Sequence, residues 1–309
     1  QVPAAKAKNP YSSSIYSTET KSTIDDIITG TCGDNVNFSY NEDTKELFIH
    51  GSGNMIDLKD SNKSPWNDYK NDINSVVIND SVTHIGNYAF IDCDKITSVS
   101  IPASVTSIGE GAFYNNIKLN SINIHDSVKS IGEYAFFYCY SLTLVNLPNN
   151  IISIEQFTFY YCSKLSSITI PESVTSIGVR AFQESGLTSI FIPKSVSSIG
   201  DYVFLLCSKL ESIDVSVENK AYMSKDGVLF NYDITELIVC PRKKGRYSIP
   251  YGVKTIAKYA FYGCRQLSYI SIPCSVSDIA WYAFQYCSGL SSIIIPPSVA
   301  RLNYYTFGY

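Results

Sequence analysis

Acidic side chains are the first residues to examine for chemistry, and this sequence offers few suitable pairs of them. Glu211 and Asp214 form the best carboxylate cluster, in a predicted strand. A glycoside hydrolase needs two carboxyl groups about 5 to 9.5 Å apart, on either side of the sugar. The neighbouring predicted strands, TSIFI and SYISI, supply no partner carboxylate. We therefore predict a protein that is not an enzyme, with a carbohydrate-active enzyme as a remote alternative.

Histidines and known catalytic motifs lead to the same prediction. The chain has three histidines, His50, His84 and His125, which lie in unrelated contexts without a paired nucleophile. The motifs HExxH, GxSxG and GxGxxG are absent, as is the P-loop. The sequence thus predicts neither catalytic residues nor a cofactor.

Cysteine is the reactive residue type with the most regular spacing. Six of the nine cysteines lie three residues after a repeated phenylalanine: Cys93, Cys139, Cys162, Cys207, Cys264 and Cys287. Asn116 and Ser185 replace cysteine in two repeats, which favours small buried side chains over a disulfide framework, although disulfides stay an alternative. No CxxC or Cys/His spacing indicates zinc, so we predict no metal site.

Charge and hydropathy exclude two further classes of protein. The net charge is −4, and only 17% of residues are charged while 45% are apolar. The densest cations, at Arg242, Lys243, Lys244 and Arg246, occupy one loop. Nucleic acids require a larger basic surface, so we interpret this loop as a solvated turn, with an anion site as the alternative. No apolar run approaches the roughly 20 residues that span a bilayer, which predicts no membrane insertion.

A repeat with a period of 23 residues positions all of these side chains. The copy that begins at Ser104 reads SVTSIGEGAFYNNIKLNSINIHD, and the copy from Ser127 reads SVKSIGEYAFFYCYSLTLVNLPN. Eight full copies and a truncated one run from Ser81 to Tyr309, with an insertion between about Ser216 and Tyr251. Such a period is typical of a solenoid, in which each copy packs only against its neighbours.

Within one copy, the apolar spacing predicts a short strand followed by a tight turn. Leu165, Ile168 and Ile170 point inward from the strand LSSITI, which a proline ends. Gly178 then permits a backbone conformation that other residues resist. Phe182 packs a short helical or 3₁₀ turn on the convex side. Stacked copies predict one parallel β ladder on the concave side.

The pattern LxxIxIPxSVxSIGxxAFxxC resembles that of the BspA-like class of leucine-rich repeats, over about residues 81–309. The resemblance implies a leucine-rich-repeat solenoid that belongs to a surface-exposed or secreted protein. It also implies adhesion to host-cell or extracellular-matrix proteins. Four positions depart from the pattern because they lack its glycine: Glu155, Ala257, Ala280 and Asn303.

Composition divides the chain into three parts. Residues 1–29 are rich in Ser, Thr, Lys and Ala, which predicts a mobile N-terminal segment. Alternating apolar and polar residues in 30–80 predict an N-terminal β-hairpin cap. Residues 81–309 form the predicted solenoid, with a β-hairpin insertion at about 216–251 that we expect to project laterally. The chain begins at Gln1 without Met and stops within a repeat, so we interpret it as an ectodomain fragment.

Two surfaces of the predicted solenoid are candidates for binding. On the concave strands, the candidate ligand-binding residues are Leu144, Thr169, Phe191, Asp214, Tyr269 and Ile294. Exposed aromatic rings beside polar groups are typical of protein-binding hot spots, although scattered apolar surface residues can also lack a function. The convex turns carry an aromatic stripe, which either packs between copies or stacks on sugars: Tyr88, Tyr134, Phe157, Tyr202, Tyr259 and Tyr282.

The predicted function is that of a cell-surface or secreted adhesin whose partners are host-cell or extracellular-matrix proteins. Self-association between cells and a structural stalk are the alternatives.

Asn37, Asn62 and Asn79 each begin an Asn-x-Ser sequon. These asparagines are glycosylation sites only if the protein passes through a eukaryotic secretory pathway.

Overall fold

Short β-strands joined by tight turns form the whole described part of this computed structural model, which covers residues 20–21, 27–59 and 64–308. Successive repeats stack as coils of a solenoid. Coils 1 to 6 begin at Ser81, Ser104, Ser127, Asn150, Ser173 and Ser195, and coils 8 and 9 begin at Gly252 and Ser275. A shortened coil 7 lies between them. The described residues include no helix, and in particular none that is long and apolar enough to cross a bilayer.

The strands before the repeats start the stacking. They are β1 (Thr20–Lys21), β2 (Ile27–Thr31), β3 (Val36–Asn41), β4 (Glu46–Gly51), β5 (Gly53–Asn54) and β6 (Ser75–Ile78). Strands β1 to β4 pair antiparallel, and β4 then pairs in parallel with β6. Residues 1–19 and 22–26 lie outside the described residues, so the boundaries of the predicted N-terminal segment and cap stay predictions.

Most coils contribute one strand to a main ladder and one to a minor ladder, as the alternation of buried and exposed residues predicts. Coils 4 and 9 contribute only to the minor ladder, so the strand predicted at LSSITI, residues 165–170, is not formed although Leu165 and Ile170 are buried. The main ladder contains β8 (Ser98–Ser100), β10 (Ser121–Asn123), β12 (Leu144–Asn146), β15 (Ser189–Ile192), β17 (Ser212–Val215), β21 (Arg246–Ser248) and β23 (Tyr269–Ser271). The minor ladder contains β7 (Val82–Ile85), β9 (Ser107–Ile108), β11 (Ser130–Ile131), β13 (Ser153–Ile154), β14 (Ser176–Ile177), β16 (Ser198–Ile199), β22 (Thr255–Ile256) and β24 (Asp278–Ile279). Within each ladder, paired coils are parallel.

A column of stacked phenylalanine rings fills the core behind the turn that joins the two ladders, which we name the arc. In coils 1 to 5 these rings are fully buried, and neighbouring ring centroids lie 5.4 to 5.6 Å apart. Trp66 extends the column before the repeats, 5.5 Å from Phe90. Each ring buries its face only against the ring of the next coil, so the stability of one coil depends on its neighbours.

The arcs are not the helical or 3₁₀ turns that the sequence predicts. Each arc instead places two residues in the left-handed region, as at Tyr134 (φ 58°) and Tyr138 (φ 60°) in coil 3. Left-handed residues cannot continue a right-handed helical turn. They leave the arc amides free to bond to the following coil, as Phe136 does to the Thr158 carbonyl at 3.0 Å.

The repeated glycine has a different purpose from the one expected. Gly178 does not adopt a left-handed conformation, and a Cβ atom there would lie 2.4 Å from the amide nitrogen of Gln156. Glycine therefore allows two coils to approach closely, which is a packing requirement rather than a conformational one.

The insertion does not project laterally, and that expectation is wrong. It contains β18 (Tyr222–Lys225), β19 (Val228–Asn231) and β20 (Glu236–Val239), and the buried side chains of Val228, Leu229 and Phe230 join the core. Strand β20 pairs with β22, and β21 pairs with β23, both in parallel. Residues 235–250 are thus coil 7 of the solenoid, bringing it to nine coils. Only ten positions separate Leu237 from Tyr247, whereas fourteen separate Ile256 from Ile270 in coil 8, so coil 7 lacks a full arc.

Candidate functional site

All six predicted ligand-binding residues are exposed on the main-ladder side of the coils. Strand alternation turns Ile122, Val145 and their equivalents inward, so the intervening side chains face solvent. Leu144, Phe191, Tyr269 and Ile294 are 56%, 52%, 44% and 85% exposed, and Thr169 and Asp214 are exposed as well. The structure therefore leaves these apolar side chains available for contact.

The structure brings some of these residues together and keeps others apart. Phe191 and Asp214 lie opposite each other on β15 and β17. Arg246 lies opposite Tyr269, with its guanidinium 4.6 Å from the ring centroid. We name these pairs the first and second aromatic pair. Hairpin β18–β19 contacts β17 and interrupts the main ladder between the pairs. Leu144, Thr169 and Ile294 lie in coils 3, 4 and 9.

Sequence reasoning missed two contributors to this surface. Val77 is 44% exposed on β6, next to the repeats. Its surrounding sequence, SVVINDSV, matches the strand and turn of a repeat, so an alignment extended upstream would have found it. Arg246 belongs to the basic loop that the sequence predicts to be a solvated turn. Its contact with Tyr269 depends on a strand register across the insertion, which has no local sequence signal.

The aromatic stripe on the arcs packs against itself. Its rings are half-buried, and two pairs stack face to face, Tyr134 on Phe157 (4.8 Å, 10°) and Tyr259 on Tyr282 (4.9 Å, 13°). Tyr202 meets Tyr259 edge to face. A ring that stacks on its neighbour has that face occupied. This geometry favours packing between coils over a sugar-stacking platform.

The repeated cysteine position is a buried hydrogen-bond donor. The thiol of Cys139 donates to the carbonyl of Phe113 at 3.2 Å, and Cys162 donates to Phe136 at 3.3 Å. Asn116, which replaces cysteine, donates its side-chain amide to Phe90 at 2.8 Å. All nine cysteines are free thiols in the structure. Burial raises the pKa of Cys139 to about 12, so these thiols are neutral donors.

One histidine does lie beside a nucleophile type, contrary to expectation. His84 contacts the Ser107 hydroxyl through Nδ1 (2.7 Å) and the Asp57 carboxylate through Nε2 (3.0 Å). Burial works to raise the pKa of Asp57, but bonds from the Asn87 amide and from His84 outweigh it and hold this pKa below its usual value. These contacts join the segment after β5 to coils 1 and 2.

The other charged candidates have simple surroundings. Glu211 and Asp214 are exposed, and Asp214 accepts a hydrogen bond from Ser212 at 3.1 Å. In the basic loop, Arg242 donates to the Gly263 carbonyl at 2.8 Å. Within the described part of the chain, no group of three or more His, Cys, Asp or Glu residues is placed to hold a metal ion.

The predicted sequons fall before or beside the first coil. Asn37 is half-buried on β3, and Asn79 is half-buried in the turn after β6, where its side chain accepts a bond from the Ser81 amide at 3.1 Å. Asn62 lies outside the described residues.

Comparison with known proteins agrees with this architecture. Residues 68–156, 129–244 and 245–309 match the BspA type leucine rich repeat region, in six copies. A leucine-rich repeat protein from Eubacterium ventriosum is 28% identical with a TM-score of 0.59, over 85% of this chain and 71% of that protein. A leucine rich cell surface protein from Faecalibacterium prausnitzii is 27% identical with a TM-score of 0.61, over 89% and 85%.

A third crystal structure, of the pneumococcal vaccine antigen PcpA, shares the fold at 20% identity, with a TM-score of 0.55 over 91% of this chain and 72% of that one. No curated protein matches the sequence. Of these neighbours, the Faecalibacterium prausnitzii protein is named as a cell surface protein. The chain therefore belongs to the family of BspA-type leucine-rich repeat proteins.

Proposed function

We propose that this chain is the binding ectodomain of a cell-surface or secreted adhesin, and that it binds host-cell or extracellular-matrix proteins through its main-ladder surface. The observation that carries the proposal is the pair of exposed aromatic sites, Phe191 with Asp214 and Tyr269 with Arg246. The surface character of the Faecalibacterium prausnitzii relative supports a location outside the cell.

The physical basis is the combination of a large ring with a charge on a rigid strand. Phe191 and Tyr269 each offer apolar area with few rotatable bonds, and residues of this kind dominate the binding energy of protein interfaces. Strand pairing already fixes the backbone of both residues, so binding of a ligand does not have to order it. Since one pair carries a carboxylate and the other a guanidinium, the surface favours a protein ligand with both charges.

The test measures binding of the fluorescently labelled chain to cultured host epithelial cells and to immobilised extracellular-matrix proteins. We expect saturable binding that is at least tenfold weaker in Phe191→Asp and in Tyr269→Asp, since hot-spot substitutions cost about 2 kcal/mol or more. Asn123→Asp is the matched control, because it adds the same charge to the same strand face. This variant is expected to bind like the unchanged chain.

Equal binding by all variants would contradict the main-ladder site. Absence of binding to every cell and matrix protein would contradict the adhesin itself. Sedimentation velocity of the same samples then distinguishes the alternatives: mass that rises with concentration indicates self-association, and a constant monomer mass indicates a stalk.

A further inference from the structure

The arc of coil 6 differs from the arcs before it in its backbone hydrogen bonds. In coil 5, the amides of Arg180, Phe182 and Glu184 donate to three carbonyls of coil 6, at 3.0 to 3.1 Å. Coils 1 to 4 bond in the same way. The equivalent amides of coil 6 belong to Tyr202, Phe204 and Leu206, and these amides have no acceptor among the described residues.

Coil 7 explains this difference, because its shortened chain does not supply an arc. Of the three backbone bonds that a regular arc donates to the next coil, coil 7 makes one within the described chain. The Cys240 amide donates to the Ala260 carbonyl of coil 8, at 2.8 Å. The carbonyls of Lys258 and Tyr262 occupy the other two acceptor positions. They accept no backbone amide from the described chain. Donors and acceptors are therefore both left over where one arc is missing.

A cleft of about 420 Å³ occupies the place of the missing arc. Its lining includes Tyr202, Leu206, Glu236, Arg242, Lys258 and Tyr262. At its rim the rings of Tyr202 and Tyr259 meet edge to face, 5.0 Å apart and at 81°, whereas Tyr134 and Phe157 in the regular coils stack in parallel. The phenylalanine column is also interrupted after Phe204, whose only stacked partner in the described chain is Phe182, at 6.0 Å, and it resumes at Phe261.

The spacing of the three free amides selects the kind of ligand. They occur at every second residue, and the arc amides of coil 5 bond to carbonyls at every second residue of the next arc, so a peptide main chain that follows such an arc presents matching oxygens. The partial positive charge of each amide is thus matched by a carbonyl dipole, and leaving such amides unpaired is unfavourable. A small anion carries its charge at one centre and meets only part of this row.

We propose that the cleft at coil 7 binds a short peptide segment of a partner protein, whose main chain replaces the missing arc. Three carbonyls at alternate positions require a segment of about five residues. The side chains of Arg242, Lys258 and Glu236 then contact the peptide's own side chains and set its sequence preference. This site lies on the arcs, and it is independent of the aromatic pairs on the main ladder.

The experiment selects ligands for the intact chain from a phage-displayed library of random seven-residue peptides. Enriched peptides are synthesised with a fluorescein label, and their affinity is measured by fluorescence anisotropy. Lys258→Trp places bulk at the cleft, while Lys254→Trp places it on an exposed site of the same coil outside the cleft. We expect the first variant to weaken binding at least tenfold, and we expect Lys254→Trp and Phe191→Asp to leave it unchanged.

Amide hydrogen exchange measured by NMR locates the bound peptide. We expect the peptide to slow exchange at the amides of Tyr202, Phe204 and Leu206 at least tenfold, and inorganic phosphate to leave it unchanged. The proposal is overturned if the library yields no peptide, if Lys258→Trp binds as well as Lys254→Trp, or if protection appears elsewhere. Equal protection by phosphate would also overturn it, in favour of an anion site. Retained peptide binding in Phe191→Asp separates this result from the proposed adhesin surface.

Discussion

Coils 1 to 5 repeat one set of arc contacts, whereas the region from coil 6 to coil 8 lacks most of them. In the regular coils, every buried ring stacks on the next and the arc amides are bonded. Around coil 7 the ring column is interrupted and the amides of three residues have no partner within the described chain. The two ladders nevertheless continue through coil 7 on its far side, by β20 with β22 and β21 with β23.

This difference shows which parts of a coil are required for stacking. A coil that keeps both strands but shortens its arc still joins the solenoid, because strand pairing extends the core. What it loses is the close contact on the arc side, and a cleft of about 420 Å³ takes its place. In this solenoid, the irregular coil therefore leaves a cleft without loss of the scaffold.

Truncating one phenylalanine in each region gives the largest expected effect. Phe136 stacks on rings at 5.6 and 5.4 Å, whereas Phe204 stacks on one ring at 6.0 Å. We expect Phe136→Ala to lower the free energy of unfolding by about 3 to 5 kcal/mol. Phe204→Ala is expected to lower it by about 1 kcal/mol less, since one ring pair is absent. Urea unfolding followed by circular dichroism measures both, and a larger loss for Phe204→Ala would contradict the comparison.

Replacing the repeated cysteine by alanine in one coil of each region gives a smaller expected loss of unfolding free energy. Cys139 donates to a carbonyl at 3.2 Å, while the thiol of Cys264 lies 3.8 and 3.9 Å from its acceptors. Both substitutions to alanine remove the same atoms from a buried site, but Cys139 loses one short bond to a carbonyl whereas Cys264 loses two long ones and a contact with the Cys240 thiol. We expect Cys139→Ala to cost about 1 kcal/mol more than Cys264→Ala in urea unfolding. Equal costs would mean that the position selects for size alone.

The reactivity of the thiols tests the burial of the cysteines in the unchanged chain, without a substitution that alters its stability. Burial raises the pKa of Cys139 to about 12 and that of Cys162 well above its usual value, whereas Cys274 is exposed after β23. Because the thiolate is the reactive form, we expect the folded chain at pH 8 to react with a disulfide reagent at Cys274 alone, and at all nine cysteines in denaturant. Rapid native reaction at Cys139 or Cys162, located by peptide mass spectrometry, would show that the regular coils are not closed.

The sequence predicts the regular coils well because their period carries the information. Spacing alone indicates the strands, the inward residues such as Leu165, and the exposure of Phe191 and Tyr269. The arcs were predicted less well, since a pattern that reads GxxAF does not distinguish a 3₁₀ turn from a turn with two left-handed residues. The glycine signal was ambiguous for the same reason, because close approach and special conformation select the same residue.

Coil 7 was hidden because it retains only the two strand patterns. Its segments TELIVC and RYSIP match the minor and main strands, but the arc between them lacks glycine followed by phenylalanine at the usual spacing. An alignment anchored on that arc ends there. The contacts between Arg246 and Tyr269, and between His84 and Ser107, depend on which coils become neighbours, which no local pattern records.

Amide exchange of the free chain tests the central claim, that coil 7 leaves a row of arc amides open. NMR-detected exchange compares Arg180, Phe182 and Glu184 in coil 5 with Tyr202, Phe204 and Leu206 in coil 6. We predict that the first three exchange slowly, because they are bonded to coil 6, and that the second three exchange at least tenfold faster. Equal protection of both rows would show that coil 7 closes the arc, and it would contradict the account.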